Sequence, residues 1–324
     1  MDKEYTLVTG ATGFIGSHVV ERLLSEGHYA VIAIVRNPGN YKNVTSLRER
    51  GVVLIEGSFY DKTILEQVFR KFAVRNVIHI AALRGAGYGA EEDYYRVNVY
   101  GTEVLLEESL KNHVTRFLFC SSVGVYGTIP HELPAMVNTA LRGDNDYHNS
   151  KILSERKVQE FINKGLNAFI IRPTITYGKG DNGFPSTLVK LVRKKMLVLP
   201  FRDSRIHLLH VDSLAEVFVQ ILKKDDITSR IFIVADEAAV SLRELVDAIY
   251  YSLYKTKYPS FLRLPNCIFK LMAMFFHLIK GNKWAVRVLL ISRNWYYDIS
   301  TTIRELSYRP ADTLACFTAI VNEL

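Results

Sequence analysis

Apolar, β-branched runs alternate with amphipathic stretches through the first half of the chain. The apolar runs predict strands at Tyr5–Val8, Ala30–Val35, Val52–Ile55, Asn76–Ile80, Phe117–Phe119 and Ala168–Ile171. The stretches between them predict helices at Phe14–Leu24, Lys62–Lys71, Glu91–Asn112 and Ser150–Asn163. Because continuous apolar strands alternate with helices, we predict an α/β fold whose parallel, doubly wound sheet is covered on both faces.

The pattern is less regular after Arg172-Pro173. Residues 178–181 have the composition of a loop, 184–195 and 214–222 are helical in pattern, and 206–211 and 231–234 are extended. A further helix is predicted at 242–254. We therefore expect residues 206–236 to return to the sheet, and residues 178–205 and 237–324 to form a smaller unit.

A glycine-rich turn, Thr9 to Gly16, joins the first predicted strand to the first predicted helix. Gly10 permits a sharp turn, Gly13 lets the backbone approach a ligand, and Gly16 lets helix and strand pack closely. The turn lacks the Gly-Lys-Ser/Thr ending of a nucleoside-triphosphate loop, so a dinucleotide pyrophosphate is favoured at the helix N-terminus. Residues 1–177 and 206–236 are thus expected to bind a dinucleotide, and the smaller unit to bind the substrate.

A tyrosine and a lysine lie one helical turn apart, at Tyr147 and Lys151. Residues four apart share a face of a helix. Free tyrosine titrates near pH ~10 and is a poor proton carrier at neutral pH unless its phenolate is stabilised. We expect the lysine ammonium to stabilise it, and a hydroxyl at the predicted strand end Ser121-Ser122 to polarise a substrate oxygen.

Composition narrows the functional classes. The chain has 324 residues, 48% of them hydrophobic and 23% charged, and a net charge of +8. We do not expect nucleic-acid binding, because the longest basic cluster, Arg193-Lys194-Lys195, lacks interleaved aromatics and is interpreted as a solvated helix face.

Three scattered cysteines and an N-terminus without a signal segment favour a reducing, cytoplasmic location. We expect no metal, since no ligand motif occurs.

These motifs together resemble the extended short-chain dehydrogenases/reductases, the NAD-dependent epimerase/dehydratase superfamily. The glycine turn is followed in the family's order by the motifs at 77–82, 98–102, 121–127, 147–151, 172–173, 210–212 and 298–310. The resemblance covers almost the whole chain. It implies a nicotinamide dinucleotide cofactor and pairing of two copies through the helices 91–112 and 150–163.

The resemblance also implies roles for single residues. Tyr147 is expected to be the general acid/base, Lys151 its partner and a ligand of the nicotinamide ribose, and Ser122 the catalytic hydroxyl. The other expected cofactor contacts are Gly10, Thr12, Gly13, Phe14, Ile15, Gly16, Ala81, Ala82 and Pro173. His79 is left open between a site residue and a core histidine.

The residue at the end of the second predicted strand distinguishes NAD from NADP. An acidic residue there favours NAD, whereas this chain has Arg36, which can pair with a 2′-phosphate. We therefore expect NADP rather than NAD, with Lys42 close enough in sequence to help. Gly57-Ser58 follows the third strand where relatives often have an acidic residue, so different adenine contacts are expected.

Two further positions bear on the reaction. Sugar dehydratases of this family have an acidic pair after the catalytic hydroxyl residue, and this chain has Val123-Gly124 instead. A dehydratase is therefore disfavoured, while epimerisation and carbonyl reduction both remain.

The segment 264–279 is strongly apolar, interrupted by Lys270 and His277, and too short to span a bilayer. It is followed by the basic residues Lys280, Lys283, Arg287 and Arg293. The segment is interpreted as a buried lid or core helix pair, with an apolar pocket or peripheral contact with a membrane surface as the alternative. Its placement resembles the hydroxysteroid-dehydrogenase and dihydroflavonol-reductase branch.

The sequence thus predicts an NAD(P)-dependent oxidoreductase that transfers hydride between nicotinamide and a secondary alcohol or ketone, with Tyr147 as general acid/base. The first alternative is a nucleotide-sugar epimerase that retains NAD tightly. The second is a nucleotide-sensing protein without catalysis, which the intact set Ser122, Tyr147 and Lys151 argues against.

Overall fold

The computed structural model describes residues 4–40, 44–84, 90–279 and 282–323, and for Asn40, Asn282 and Lys283 only the backbone. Its centre is a seven-stranded parallel sheet in the order β11-β6-β5-β4-β1-β2-β3. The strands are β1 (Glu4–Thr9), β2 (Tyr29–Val35), β3 (Val53–Glu56), β4 (Val74–His79), β5 (Arg116–Cys120), β6 (Ala168–Pro173) and β11 (Ile231–Val234). The order reverses beside β1, and a doubly wound sheet binds ligands at such a point.

The apolar strand pattern is explained by burial on both faces of this sheet. On β2, Val31 and Ala33 belong to one core cluster, and the alternate residues Ile32 and Ile34 belong to the other. Successive strand residues point to opposite faces, so both sets must be apolar. The predicted fold class is confirmed.

Helices cover both faces of the sheet in the first half of the chain. They are α1 (Phe14–Ser25), α2 (Val44–Glu49), α3 (Lys62–Lys71), α4 (Glu91–Tyr94), α5 (Gly101–Lys111) and α6 (Asp146–Asn163). The predicted helix 91–112 is interrupted by a π-helical turn at Tyr95–Tyr100. Helix α6 starts four residues before the predicted position because the Asn145 side chain accepts a hydrogen bond from the backbone N–H of His148 and caps the helix.

The rest of the chain adds short strand pairs and seven helices to the described part. Strands β7 (Ile175–Tyr177) and β10 (Leu208–His210) pair, as do β8 (Leu199–Pro200) with β13 (Arg263–Leu264) and β9 (Arg205–Ile206) with β12 (Val240–Ser241). The helices are α7 (Phe184–Arg193), α8 (Val211–Lys223), α9 (Leu242–Tyr254), α10 (Asn266–Leu278), α11 (Asn282–Ser292), α12 (Ser300–Leu306) and α13 (Thr313–Ile320).

Several predicted elements in this part change extent. The extended segment 206–211 is divided between β9 and β10, and helix α8 already begins at Val211. The basic cluster lies where α7 ends and in the turn after it, rather than along a helix face. Residues 231–234 do return to the sheet, beside β6. The two-domain boundaries themselves stay a prediction.

A buried ion pair joins β5, β6 and α6 at the carboxyl edge of the sheet. The Arg172 guanidinium donates from Nε to Glu155 Oε1 (2.9 Å) and from Nη2 to Glu155 Oε2 (2.6 Å). The Ser121 hydroxyl also donates to Glu155, and Arg172 Nη1 donates to the Tyr126 hydroxyl at 2.6 Å. All four side chains are buried. Their hydrogen bonds join the middle of α6 and the end of β6 to Ser121, just before the 3₁₀ turn Val123–Tyr126, and to Tyr126 at its end.

We predict that Glu155→Ala lowers the free energy of unfolding by about 3–5 kcal/mol, because Arg172 is left charged and unpaired in the core. Urea unfolding followed by circular dichroism measures the change. Glu160→Ala is the matched control: it removes a carboxylate from the same helix that is exposed and 3.4 Å from Lys157, and should cost less than about 1 kcal/mol. Equal losses in the two variants would contradict the prediction.

Candidate active site

The predicted cofactor and catalytic residues line one cavity of about 660 Å³ at the carboxyl edge of the sheet. Its wall includes Gly10, Thr12, Gly13, Phe14, Ile15, Gly16, Arg36, Ala81, Ala82, Ser122, Tyr147, Lys151 and Pro173. These residues come from the ends of β1, β2, β4, β5 and β6 and from the start of α6. The topology brings them together because the carboxyl ends of parallel strands share one edge.

The glycine turn leaves no room for side chains. Gly10 has φ +76°, and a Cβ there would lie 2.8 Å from the backbone nitrogen of Ala81. A Cβ on Gly16 would lie 2.0 Å from the Gly10 carbonyl oxygen. Gly13 is the N-cap of α1, has an extended backbone and makes no capping hydrogen bond from a side chain. Because Gly13, Phe14 and Ile15 line the cavity, the N-terminus of α1 faces the cavity, as an anion site requires. The cradle therefore fits the pyrophosphate of a dinucleotide.

The part of the cavity where the adenine is expected has no acidic residue at positions 57 and 58. Gly57 and Phe59 line the cavity, and the Ser58 hydroxyl between them is buried without a hydrogen-bond partner in the described residues. A buried unpaired hydroxyl is costly unless a ligand satisfies it. The nearby carboxylate of Asp61 caps α3 by accepting from the backbone N–H of Thr63 at 2.9 Å.

Arg36 lies directly after β2, is exposed, and lines the cavity. Among the described residues it forms no ion pair, so its guanidinium is free to meet a ligand anion. Lys42, which was expected to assist it, lies outside the described residues.

His79 is a core histidine rather than a site residue. Its Nδ1 lies 2.7 Å from the Thr9 hydroxyl and its Nε2 lies 2.9 Å from the Thr102 hydroxyl, and the ring is fully buried. Burial, together with the charge of Lys151, lowers its pKa well below the ordinary histidine value. The neutral ring joins β1 and β4 to α5, which resolves the alternative that the sequence left open.

Lys151 is held under the site by a carbonyl and an aromatic ring. Its Nζ donates to the Cys120 carbonyl at 2.8 Å and lies 4.6 Å from the centre of the Phe119 ring. Burial lowers its pKa to about 8. Below that pH the ammonium is charged and aimed at the end of β5, one turn along α6 from Tyr147.

Tyr147 is partly buried, and burial raises the pKa of its phenol to about 12. The charge of Arg84 and a hydrogen bond from Ser122 act in the opposite direction and lower it. The Ser122 hydroxyl also accepts from the backbone N–H of Gly124 at 3.0 Å and thereby caps the 3₁₀ turn. The capping and catalytic interpretations of Ser122 are therefore compatible, because one hydroxyl serves both contacts.

His148, which the sequence motif did not single out, occupies the space beside Gly124. A Cβ on Gly124 would lie 2.4 Å from His148 Nε2. The other ring nitrogen lies 2.6 Å from Asp144. Burial raises the pKa of that carboxyl, but the hydrogen bonds from His148 and Thr128 together with the His148 charge outweigh it and lower the pKa to about 2. An imidazole bonded to a carboxylate thus fills the space that a side chain at position 124 would occupy.

The part of the cavity wall where a substrate is expected combines apolar and polar side chains. The apolar members are Ile175, Phe184, Val286, Leu290, Trp295 and Tyr297, and the polar members are Arg84, Thr128, Thr174, Thr176, Asp181 and Asn182. The sequence motifs did not identify these residues, since they come from β7, the start of α7, helix α11 and loops that are far apart along the chain. Their apolar pattern was the only signal, and it is shared by ordinary core positions.

Comparisons with known proteins place the chain in a family. The profile of the NAD dependent epimerase/dehydratase family matches residues 6–235. Human UDP-glucose 4-epimerase is 33% identical over 213 residues, which cover 58% of this chain and 60% of the human protein. The chain thus matches less than two thirds of that relative's length. UDP-glucose 4-epimerase of Vibrio cholerae is 28% identical over 95% of this chain and 91% of its own.

Solved structures share the fold over nearly the full chain. UDP-glucose 4-epimerase of Thermotoga maritima with UDP-glucose has a TM-score of 0.77 at 23% identity and covers 98% of both chains. The enzyme of Bifidobacterium longum in complex with NAD+ and UDP has a TM-score of 0.73 at 23% identity, over 98% of this chain and 97% of that one.

The relatives and structures named here are epimerases, so placement in the hydroxysteroid-dehydrogenase branch stays a prediction. Residues 6–235 contain the glycine turn and Ser122, Tyr147 and Lys151, and the family profile spans all of them. The chain belongs to the NAD dependent epimerase/dehydratase family.

Proposed function

We propose that this protein epimerises a nucleotide-activated sugar by reversible oxidation at one carbon, with NAD retained in the cavity. The observation that carries the proposal is the convergence of Ser122, Tyr147 and Lys151 on the cavity that begins at the glycine turn. Epimerisation needs only this set and a hydride carrier. The similarity to proteins named UDP-glucose 4-epimerase supports a sugar nucleotide as the substrate.

The proposed cofactor is held by backbone and by small residues. Gly10, Gly13 and Gly16 would cradle its pyrophosphate, Ala81 would lie beside it, and Lys151 would bind its nicotinamide ribose. NAD, when bound, accepts a hydride from the substrate carbon and can return it. The positive charge of the oxidised ring also favours a tyrosinate nearby, against the burial that raises the pKa of Tyr147.

The residues of the chain carry the proton. In the first half-reaction the Tyr147 oxygen takes the hydroxyl proton while the carbon loses hydride, and Ser122 donates a hydrogen bond to the developing carbonyl oxygen. In the second half-reaction the ketone presents its other face, regains hydride, and receives the proton from Tyr147. The reaction needs no external oxidant or reductant, because the hydride removed in the first half-reaction is returned in the second.

A second candidate is a net reductase or dehydrogenase of an apolar alcohol or ketone that uses NADP(H). Two observations favour it. Arg36 is exposed in the cavity wall after β2, where a 2′-phosphate is expected, and Ile175, Val286 and Leu290 contribute apolar side chains to the wall where a substrate is expected. Such an enzyme must exchange its cofactor after each turnover, whereas an epimerase retains it.

We also propose that the active form is a homodimer. The helices expected to pair carry exposed apolar side chains, namely Tyr95, Tyr100 and Leu153. Apolar groups on neighbouring helices are typical of a homodimer face.

Tyr147→Phe is predicted to lower turnover by about 10²–10⁴, because the proton carrier is lost while the ring remains. The assay follows conversion of UDP-glucose to its C4 epimer, with nucleotide content measured on the same sample. Tyr251→Phe, at an exposed tyrosine outside the helices expected to form the dimer, should leave turnover unchanged. Full activity in Tyr147→Phe would refute the proposed role.

The depressed pKa of Lys151 predicts a pH-dependent stability. Between pH about 8 and 10.5 the unfolded lysine binds a proton that the folded one does not, so stability should rise with pH through this window. Relative to Lys151→Met, the nucleotide-free wild type should gain on the order of 3 kcal/mol across it. Urea unfolding at several pH values measures this, and parallel profiles would show that Lys151 is not the group responsible.

The nucleotide released on denaturation separates the two candidates. We expect mass spectrometry of the denatured, purified protein to find about one NAD per chain. Protein that is empty and binds NADPH reversibly would instead support the reductase. In that case Arg36→Ala should weaken NADPH binding at least tenfold more than NADH binding, and equal losses would exclude Arg36 as a phosphate ligand.

A further inference from the structure

Helix α10 presents an apolar stripe to solvent. Leu271, Met274, Phe275 and Leu278 recur with the i, i+3, i+4, i+7 spacing of one helix face, and they are 59%, 58%, 57% and 74% exposed. This spacing is the pattern by which a helix normally packs on a protein core. Here the patterned face points outward, so its partner lies outside the described chain.

The exposure does not come from a detached helix. On the opposite side of α10, Phe269 is buried, and Phe276 stacks on Trp284 of α11 with ring centres 6.3 Å apart. The start of α10 directly follows β13, and β13 is held in place by pairing with β8. The stripe is therefore displayed on a packed helix pair rather than on a loose tail.

The sequence concentrates its positive charge in the segment that contains this helix pair, although Lys280 and the side chain of Lys283 lie outside the described part of the structure. Residues 248–297 contain no Asp or Glu, and they contain eight basic residues: Lys255, Lys257, Arg263, Lys270, Lys280, Lys283, Arg287 and Arg293. The other 33 basic residues are balanced by the 33 acidic residues of the chain. The whole net charge of +8 thus belongs to the segment that carries the apolar stripe.

Two of the charged side chains lie beside exposed apolar groups. Lys270 is exposed and precedes Leu271 on the stripe. The Arg287 guanidinium lies 5.0 Å from the ring centre of Trp284, which is itself exposed. Tryptophan and basic side chains beside an apolar helix face are typical of the interface between lipid headgroups and acyl chains.

We propose that the outward face of α10 docks this protein on the surface of a membrane that contains anionic phospholipid. The stripe would enter the interface with the helix lying in its plane, and the surrounding cations would meet the headgroup phosphates. In the described residues no helix is long and apolar enough to cross a bilayer. Docking rests on the exposed stripe and its charge, and it does not depend on the proposed epimerase reaction.

Docking would place one wall of the active-site cavity next to the membrane. Val286 and Leu290 line the cavity from α11, the helix that packs directly on α10. The cavity and the docking face therefore lie on different sides of the helix pair α10 and α11.

The test is co-flotation of the purified full chain with vesicles of phosphatidylcholine containing about 30% phosphatidylserine, compared with phosphatidylcholine alone. We expect binding to the anionic vesicles that weakens as salt is raised from about 0.05 to 0.5 M, since exposed charges are screened. Met274→Asp/Leu278→Asp should reduce partitioning roughly 100-fold, because two apolar side chains no longer enter the interface.

The control variant is Met196→Asp/Ile303→Asp, which adds the same two charges at exposed apolar residues elsewhere on the surface. It should float like the wild type. The thermal midpoint and the nucleotide content of both variants report folding. Flotation that is absent in the wild type, or equal in the two variants, would overturn the proposal. Concentration-dependent self-association that Met274→Asp/Leu278→Asp abolishes, without vesicle binding, would assign the stripe to a second copy instead.

Discussion

The buried pair of Glu155 and Arg172 is the contact on which the geometry of the active site depends. Glu155 lies on the same helix as Tyr147 and Lys151, one turn beyond the lysine. Its carboxylate binds Arg172 at the end of β6 and Ser121 at the end of β5, and Ser121 directly precedes Ser122, the proposed catalytic serine. The pair thus fixes the position of α6 along the sheet edge. Because both charges are removed from water, the arrangement is stable only with all of their hydrogen bonds made.

The glycine turn imposes the second constraint, which is steric. The near-contact of Gly16 with the Gly10 carbonyl and of Gly10 with Ala81 means that β1, α1 and β4 meet with backbone against backbone. His79 keeps β4 in register with β1 through Thr9, whose hydroxyl also accepts from the backbone N–H of Ala81 at 3.2 Å. The glycine turn proposed to hold the pyrophosphate and Ala81, proposed to lie beside the cofactor, are consequently joined at one corner of the sheet.

Much of this was predictable because the signals are local. Each signal determines structure over a few residues. The signals are the continuous apolar run of β2, the i, i+4 pair of Tyr147 and Lys151, and the glycine spacing. Sheet topology then brings these elements to one edge. The role of His148 was not predictable. It depends on a missing side chain at Gly124 and on a carboxylate at Asp144, and no short motif joins these three. The resting place of the Lys151 ammonium on the Cys120 carbonyl likewise depends on a contact between elements.

The segment 264–293 shows why pattern alone left two interpretations open. Amphipathic spacing states which residues of a helix are apolar, but not whether protein, ligand or lipid lies opposite them. In this chain the two helices of one pair differ in that respect: α11 turns Val286 and Leu290 toward the cavity, while α10 turns Met274 and Leu278 outward. The charge of the segment separates two explanations of the outward face. Residues 248–297 carry eight basic residues and no Asp or Glu, and a helix pair that only completed a protein core would gain nothing from that excess. An anionic surface is the environment that satisfies both the stripe and its charge.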